Sequence, residues 1–193
     1  MGTSTIGHAL REEELNERFG PPQPAVVNKV QLRLTDWMAE FIRRSPFMVM
    51  GTATSSGAVD VSPKGGGPGF VSIIDDQTLL IPDYRGNNLF FGHRNLMDNP
   101  QLALIFFIPG EGWTLRVNGR GEIVDDDYSL EALGPAPHGE RPRLAIKLFI
   151  AECFSQCPKA LVRSDIWNPE KRSRLPKRPD PPGGWMAEIL KKA

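Results

Sequence analysis

Residues 58–121 constrain the fold more than any other stretch of this chain. Four apolar runs of strand length and one run of helix length follow one another there, with cationic and amide side chains at the joints. Such runs, broken by Gly, Pro, Asn and Asp, read as strands joined by turns. The same alternation continues on both sides. Strands are expected over 47–54, 58–63, 69–74, 78–83, 101–110, 113–126 and 143–157. Ser55-Ser56-Gly57 and Asp75-Asp76-Gln77 read as hairpin turns. The run QLALIFFIPG, 101–110, is continuously apolar and is expected to be buried on both faces. The chain is therefore mainly β with flanking helices.

The helices are short. HALREEELNER, 8–18, reads as an amphipathic helix stopped by Gly20-Pro21-Pro22, with a Pro-rich connector to Pro24. Thr35 reads as the N-cap of a helix over 36–44, with Asp36 at its positive end and Trp37 and Phe41 on its apolar side. Another helix is expected over 89–97, ended by Asp98-Asn99-Pro100. Pro158 reads as a helix start, with Lys159, Arg163 and Trp167 on one helix face. That face reads either as a ligand flank or as a basic surface turn beside a core Trp. Residues 168–184 read as a tail, and WMAEILKKA, 185–193, as a last amphipathic helical turn.

The joints carry the chemistry. Lys64 ends a strand before Gly65-Gly66-Gly67, and Arg85, Asn87 and Asn88 lie in a strand-to-helix turn. Arg116, Asn118 and Arg120 alternate along one strand, so period 2 puts them on one face with Thr114. Such a face is either solvated or holds an anion, because Arg presents a rigid fork of donors suited to phosphate. A turn that opens a helix adds free backbone N–H groups. The Gly-rich loop 64–69 is either a flexible corner or a place where a flat ligand comes close to the backbone.

Other chemistries lack their residues. No Gly-x-Ser-x-Gly and no Gly-x-Gly-x-x-Gly before a helix occurs, and the acids do not pair as in glycoside hydrolysis. Cys153 and Cys157 have no second pair, and His8, His93 and His138 are scattered, so no metal site is expected and the thiols read as reduced. With 23 basic and 23 acidic residues, nothing favours a nucleic-acid or membrane-surface role. No apolar run spans a membrane and the first 20 residues lack a signal-peptide core, so a cytoplasmic protein is expected.

The segments VDVSPKG, LLIPDYRGNN, NLMDNPQLALIFFIPG, TLRVNGRGEI and CPKALVRSDIW, in this order, resemble the FMN-binding split-barrel proteins related to pyridoxamine 5′-phosphate oxidase, and among them the uncharacterised bacterial members. The resemblance covers roughly residues 30–167, leaving 1–29 as an N-terminal arm and 168–193 as a C-terminal tail. It implies a six-stranded antiparallel split β-barrel and a homodimer with two FMN sites at the subunit interface. It also implies an oxidoreductase whose redox chemistry is carried by FMN, acting on a small molecule or a nicotinamide donor. Carried over residue by residue, phosphate contacts fall on Lys64, Arg85, Asn87 and Asn88, and ring-edge contacts on Thr114 and Arg116. Further contacts fall on Lys159, Arg163, Ser164 and Trp167 of the same or the other chain.

The departures are specific. Arg-Gly-Asn-Asn stands where the biosynthetic oxidases have Ser-Arg-Lys, and their C-terminal Arg-x-His is missing, with Trp185 in the tail instead. Flavin binding is therefore the expectation, and oxidation of pyridoxamine phosphate is not. The alternatives are a flavin carrier without turnover, or a barrel binding a deazaflavin or haem. For haem, His93 is the one candidate axial ligand inside the barrel.

Overall fold

The computed structural model describes residues 10–86, 88–133 and 139–172. Asn87, the expected helix over 185–193 and Trp185 lie outside them. The described residues fall into two compact units, one ending at Cys157 and one beginning at Pro158.

The first unit is built on one antiparallel sheet. Its strands are β1 (Phe47–Ala53), β2 (Val59–Gly65), β3 (Ser72–Asp75), β4 (Thr78–Asp83), β5 (Gln101–Phe107), β6 (Thr114–Val124) and β7 (Leu144–Gln156). Their order across the sheet is β2-β1-β5-β6-β7-β4-β3. The expected architecture, mainly antiparallel β with flanking helices, is what the structure has. The described residues form seven strands, as many as the sequence runs indicate, where the resemblance implies six. No pairing among the described residues closes the sheet between its edge strands β2 and β3.

Among the described residues, five helices belong to this unit: α1 (Glu12–Phe19), α2 (Pro24–Val27), α3 (Asp36–Arg44), α4 (Phe91–Asp98) and α5 (Asp127–Glu131). The Pro-rich connector runs into α2, a single turn that has the connector's last residue, Pro24, at its start, where a missing N–H costs nothing. In α3 the Thr35 hydroxyl accepts from the Met38 N–H at 3.4 Å, and Met38, Phe41 and Ile42 are buried. Trp37 stays half exposed, with its ring 5.3 Å from that of Phe41.

The core lies inside the curl of the sheet. Met48, Met50, Leu104, Phe106, Leu115, Val117, Ile146 and Leu148 meet there with α3 and Leu96 of α4. Strand β5 corrects an expectation, since its burial alternates along the strand. Leu102, Leu104 and Phe106 are buried, whereas Ala103 is exposed and Ile105 and Phe107 are half-buried. No described helix covers that outer face, so an apolar run need not mean two buried faces. The strand buried on both faces is β4, because Leu80 packs on Leu133, Ala145 and Leu130 beside α5.

Strand β6 holds a second correction. Thr114 is buried at the strand's first residue, while Trp113 is half exposed. Further along, the register with β7 shifts between Asn118 and Gly119, so that Asn118 faces Glu152 and Gly119 faces Ile150. The extra residue, Ala151, inverts the parity of β7. Ile146, Leu148 and Ile150 point inward before it, and Cys153 does after it. Glu152 and Phe154 thereby come onto the outer face beside Asn118 and Arg116.

Cys153 is buried, with its thiol 3.2 Å from the Arg33 carbonyl oxygen, and Cys157 is exposed; both are free. Burial, with the nearby charge of Glu152, pushes the Cys153 thiol up to about 11. A thiol-specific reagent at pH 8 should label one cysteine in the native protein and two after denaturation. Two fast-labelling thiols in the native chain, or a disulfide in its mass spectrum, would refute this.

Candidate functional site

Strands β2 and β4 lie far apart in the order of the sheet, yet the curl brings their ends together. Lys64, near the end of β2, places its Nζ 2.8 Å from Oδ1 of Asp83, the last residue of β4. The open side of the barrel is thus bridged by an ion pair instead of a ladder of backbone bonds. A groove of about 400 Å³ runs along this bridge. Its walls come from Asp60–Gly65, Pro82–Tyr84, Gly86 and Asn88–His93, with Met50 behind. That size suits a small organic ligand.

His93 stands behind the ion pair. It is 6 % exposed, and its Nε2 lies 3.4 Å from Asp83 Oδ1. The pair is close enough for an ionic contact, but its geometry is not that of a hydrogen bond, and Nε2 has no hydrogen-bond partner. The ring is packed edge-on against Phe90 at 5.1 Å.

Burial alone would raise the pKa of Asp83. The contacts from His93 and Lys64 outweigh it and hold the carboxyl below its ordinary value of 3.8. A depressed carboxyl contributes stability that is complete above its unfolded value and fades as pH falls through the folded one. Melting temperatures between pH 2 and pH 5 should therefore fall less steeply in Asp83→Asn than in the parent. Parallel curves would show that the bridge does not contribute.

The turn from β4 to α4 forms the rim. Asn88 and Phe90 adopt left-handed backbone, with φ 59 and 52. Phe90 is a poor residue for that conformation and for the N-cap of α4, and its side chain accepts nothing from the helix. Among the described residues, the first-turn amides of α4 therefore have no side-chain acceptor. Contacts from a distant segment hold the turn: the Arg85 N–H donates to Glu140 at 3.3 Å, and Arg143 donates to Asn88 Oδ1 at 3.3 Å. The Arg85 side chain is exposed and has no ion pair among the described residues. Burial, helped by the charge of Glu140, raises the Tyr84 hydroxyl above its ordinary pKa.

The Gly-rich loop is a docked corner. Gly66 N–H donates to the Pro46 carbonyl and Gly69 N–H to that of Ser45. Gly69 has φ +76, and a Cβ there would stand 3.1 Å from the Arg43 carbonyl oxygen.

Lys64 and Asn88 line the groove, and Arg85 sits in its rim turn. Thr114 and Arg116 do not line it. Arg116 lies on the outer face of the sheet with its guanidinium carbon 5.0 Å from the centre of the Phe154 ring, and Lys29 approaches the same ring at 5.4 Å. The sign pattern of this face differs from what β6 alone indicates. Glu152 accepts from Asn118 at 2.7 Å, so an acid supplied by the neighbouring strand stands among the cations.

Lys159, Arg163 and Ser164 belong to the second unit, in α6 (Lys159–Ser164), which precedes α7 (Pro169–Arg172). Arg163 Nε donates to the Lys159 carbonyl at 3.2 Å, and the Ser164 hydroxyl to that of Leu161 at 3.0 Å. Asp165 ends α6 in left-handed backbone, so Trp167 lies beyond the helix and shares no helical face with Lys159 and Arg163. Three groove groups escaped the sequence reading: Asp83, Tyr84 and His93 as a partner of Asp83. The only signal for Asp83 was an acid closing a buried strand beside a Tyr-Arg-Gly turn.

The sequence profile of pyridoxamine 5′-phosphate oxidase matches residues 34–157. No curated protein matches the sequence. The fold is similar to that of HupZ from Group A Streptococcus, at 17 % identity and a TM-score of 0.51, covering 64 % of this chain and 94 % of that one. A putative pyridoxamine 5′-phosphate oxidase from Lactobacillus delbrueckii is 21 % identical with a TM-score of 0.49, covering 64 % and 95 %.

Proposed function

Because this chain belongs to the pyridoxamine 5′-phosphate oxidase family, we propose that it is an FMN-binding oxidoreductase that works as a homodimer. The observation that carries the reading is the groove. It joins an apolar wall from Met50, Pro82, Phe90 and Phe91 to polar side chains and to a helix start whose amides have no side-chain acceptor among the described residues. A flat ring with a phosphorylated tail needs both kinds of surface. His93 speaks for flavin over haem, since its Nε2 is buried toward Asp83.

FMN, when bound, supplies the redox chemistry. The chain binds and orients it, and shields its ring from water. No step needs a nucleophilic side chain, in keeping with a groove that pairs none with a base.

The outer face of β2, β1 and β5 supports the dimer. Val61 pairs with Gly51, Pro63 with Val49, and Val49 with Ile105, which lays apolar side chains across three strands. Val59 and Val61 are 79 % and 66 % exposed. An apolar face of this kind fits a second subunit. Light scattering at micromolar concentration should give a dimer mass, and a monomer with flavin bound would count against it.

The test of the reading is an absorbance spectrum of the purified protein, with FMN added, before and after NADPH under nitrogen. Flavin bands that bleach support an oxidoreductase fed by a nicotinamide. Bound flavin that stays oxidised with every donor tried would leave a carrier. Absence of bound flavin would end the FMN reading.

A further inference from the structure

We propose that Lys64 and Asp83 together read an uncharged lactam edge of the ligand, a C=O beside an N–H, and that Lys64 does not serve its phosphate. The assignment rests on the flavin reading above and reassigns Lys64 within it.

Lys64 is not a free cation. Its Nζ is 2.8 Å from a carboxylate oxygen, and both side chains are largely buried, 18 % and 15 % exposed. A phosphate brought to Lys64 would meet the negative charge of Asp83 in the same wall of the groove, and the low polarity there would strengthen the repulsion. A neutral edge meets no such penalty.

The hydrogen-bonding inventory points the same way. An ammonium carries three donors, and one is spent on Asp83 Oδ1. A carboxylate has two oxygens, and here both Lys64 and His93 approach Oδ1. Oδ2 accepts nothing from the described residues. The pair therefore offers donors and an acceptor side by side with little net charge. A ring edge of the C=O/N–H type, as in an imide, complements that pattern, whereas a phosphate offers acceptors alone.

His93 stands behind the acceptor. Its buried Nε2 lies 3.4 Å from Asp83 Oδ1, the oxygen that Lys64 also approaches, so Oδ2 is the oxygen left for a ligand. Asp83 thus both holds Lys64 and presents an acceptor to the ring, and His93 packs behind the pair. The apolar groups that would face a flat ring, Met50, Pro82 and Phe90, line the same groove. Cations with no carboxylate partner among the described residues stand at the rim, where Arg85 is exposed and Arg143 reaches Asn88.

The experiment compares three ligands by flavin-fluorescence titration of the full chain: FMN, riboflavin, which lacks the phosphate, and riboflavin methylated at the imide nitrogen. On the native chain the methylated compound should bind at least tenfold more weakly than riboflavin. In Lys64→Gln the affinities for FMN and riboflavin should fall by the same factor. A loss confined to FMN would make Lys64 a phosphate ligand and overturn the proposal. Equal binding of methylated and plain riboflavin would overturn it as well, and that comparison uses only the native chain, so it decides even if Lys64→Gln does not fold. Failure of the native chain to bind any of the three would end the flavin reading itself, a result distinct from either.

Discussion

Gly119→Ala is expected to destabilise the chain by about 3 kcal/mol or more, enough to lower its melting temperature by about 10 °C. An added Cβ would run into the carbonyl oxygen of Phe149 and come within 2.9 Å of Leu148 Cδ1. The obstacle is backbone, so no rotamer change relieves it. It also lies at the register shift between β6 and β7, the most extensive strand pair in the sheet. Relief would require β7 to move off β6, and Glu152 and Phe154 would lose the orientation that the extra residue Ala151 gives them.

Two glycines calibrate the effect. At Gly51 an added Cβ would meet nothing closer than the Ala103 carbonyl oxygen at 3.8 Å, an ordinary contact, so Gly51→Ala should lie within about 1 kcal/mol of the parent. At Gly121 the obstacle is Leu102 Cδ2 at 2.5 Å, the far end of a side chain that can turn, so the cost should fall between the two. Thermal denaturation of the three variants checks the order. Melting of Gly119→Ala within about 2 °C of the parent would show that the β6–β7 bulge is soft.

What the sequence reveals depends on how local the cause is. Thr35 capping α3 and Asn99-Pro100 ending α4 are local, and the structure has both helix limits close to where those residues place them. Apolar patterning is local too, and all seven strands lie within the apolar or alternating runs or extend them by one or two residues, as β3 does to Asp75 and β2 to Gly65. Two things failed. Plain alternation along the run 143–157 fails at Ala151, because a bulge inverts a strand's faces without altering its composition. The outer face of β5 failed because an apolar run says nothing of what stands opposite.

The site divides in the same way. Lys64 and Asn88 were legible because a cation before a Gly run and an amide in a helix-opening turn are unusual neighbours. Asp83 was not, because its importance comes from a partner 19 residues away across the open side of a curled sheet. Glu152 was not, because it reaches Asn118 from another strand, 34 residues distant. Charge pairing between strands is set by register, and register is the least local property of a sheet.

Arg85→Ala should weaken FMN binding by about tenfold to a hundredfold, the loss of one charged hydrogen bond to a phosphate, about 1.5–3 kcal/mol. It should leave riboflavin binding almost unchanged. Arg85 is the exposed cation of a turn held by its own backbone bond to Glu140 and by the Arg143–Asn88 contact, so removing the side chain leaves the turn's supports in place. The same turn delivers the start of α4, where Phe90 supplies no cap, so a phosphate beside Arg85 would also meet backbone N–H groups. Added salt should weaken FMN binding to the parent more than to the variant, since the charge being screened is absent from the latter. The comparison also separates two roles for the residue. If FMN and riboflavin lose affinity alike in Arg85→Ala, the arginine shapes the turn and does not hold the phosphate. If only FMN loses affinity there while both lose it in Lys64→Gln, the two cations divide the ligand between them, Arg85 taking its charged tail and Lys64, steadied by Asp83, its neutral ring.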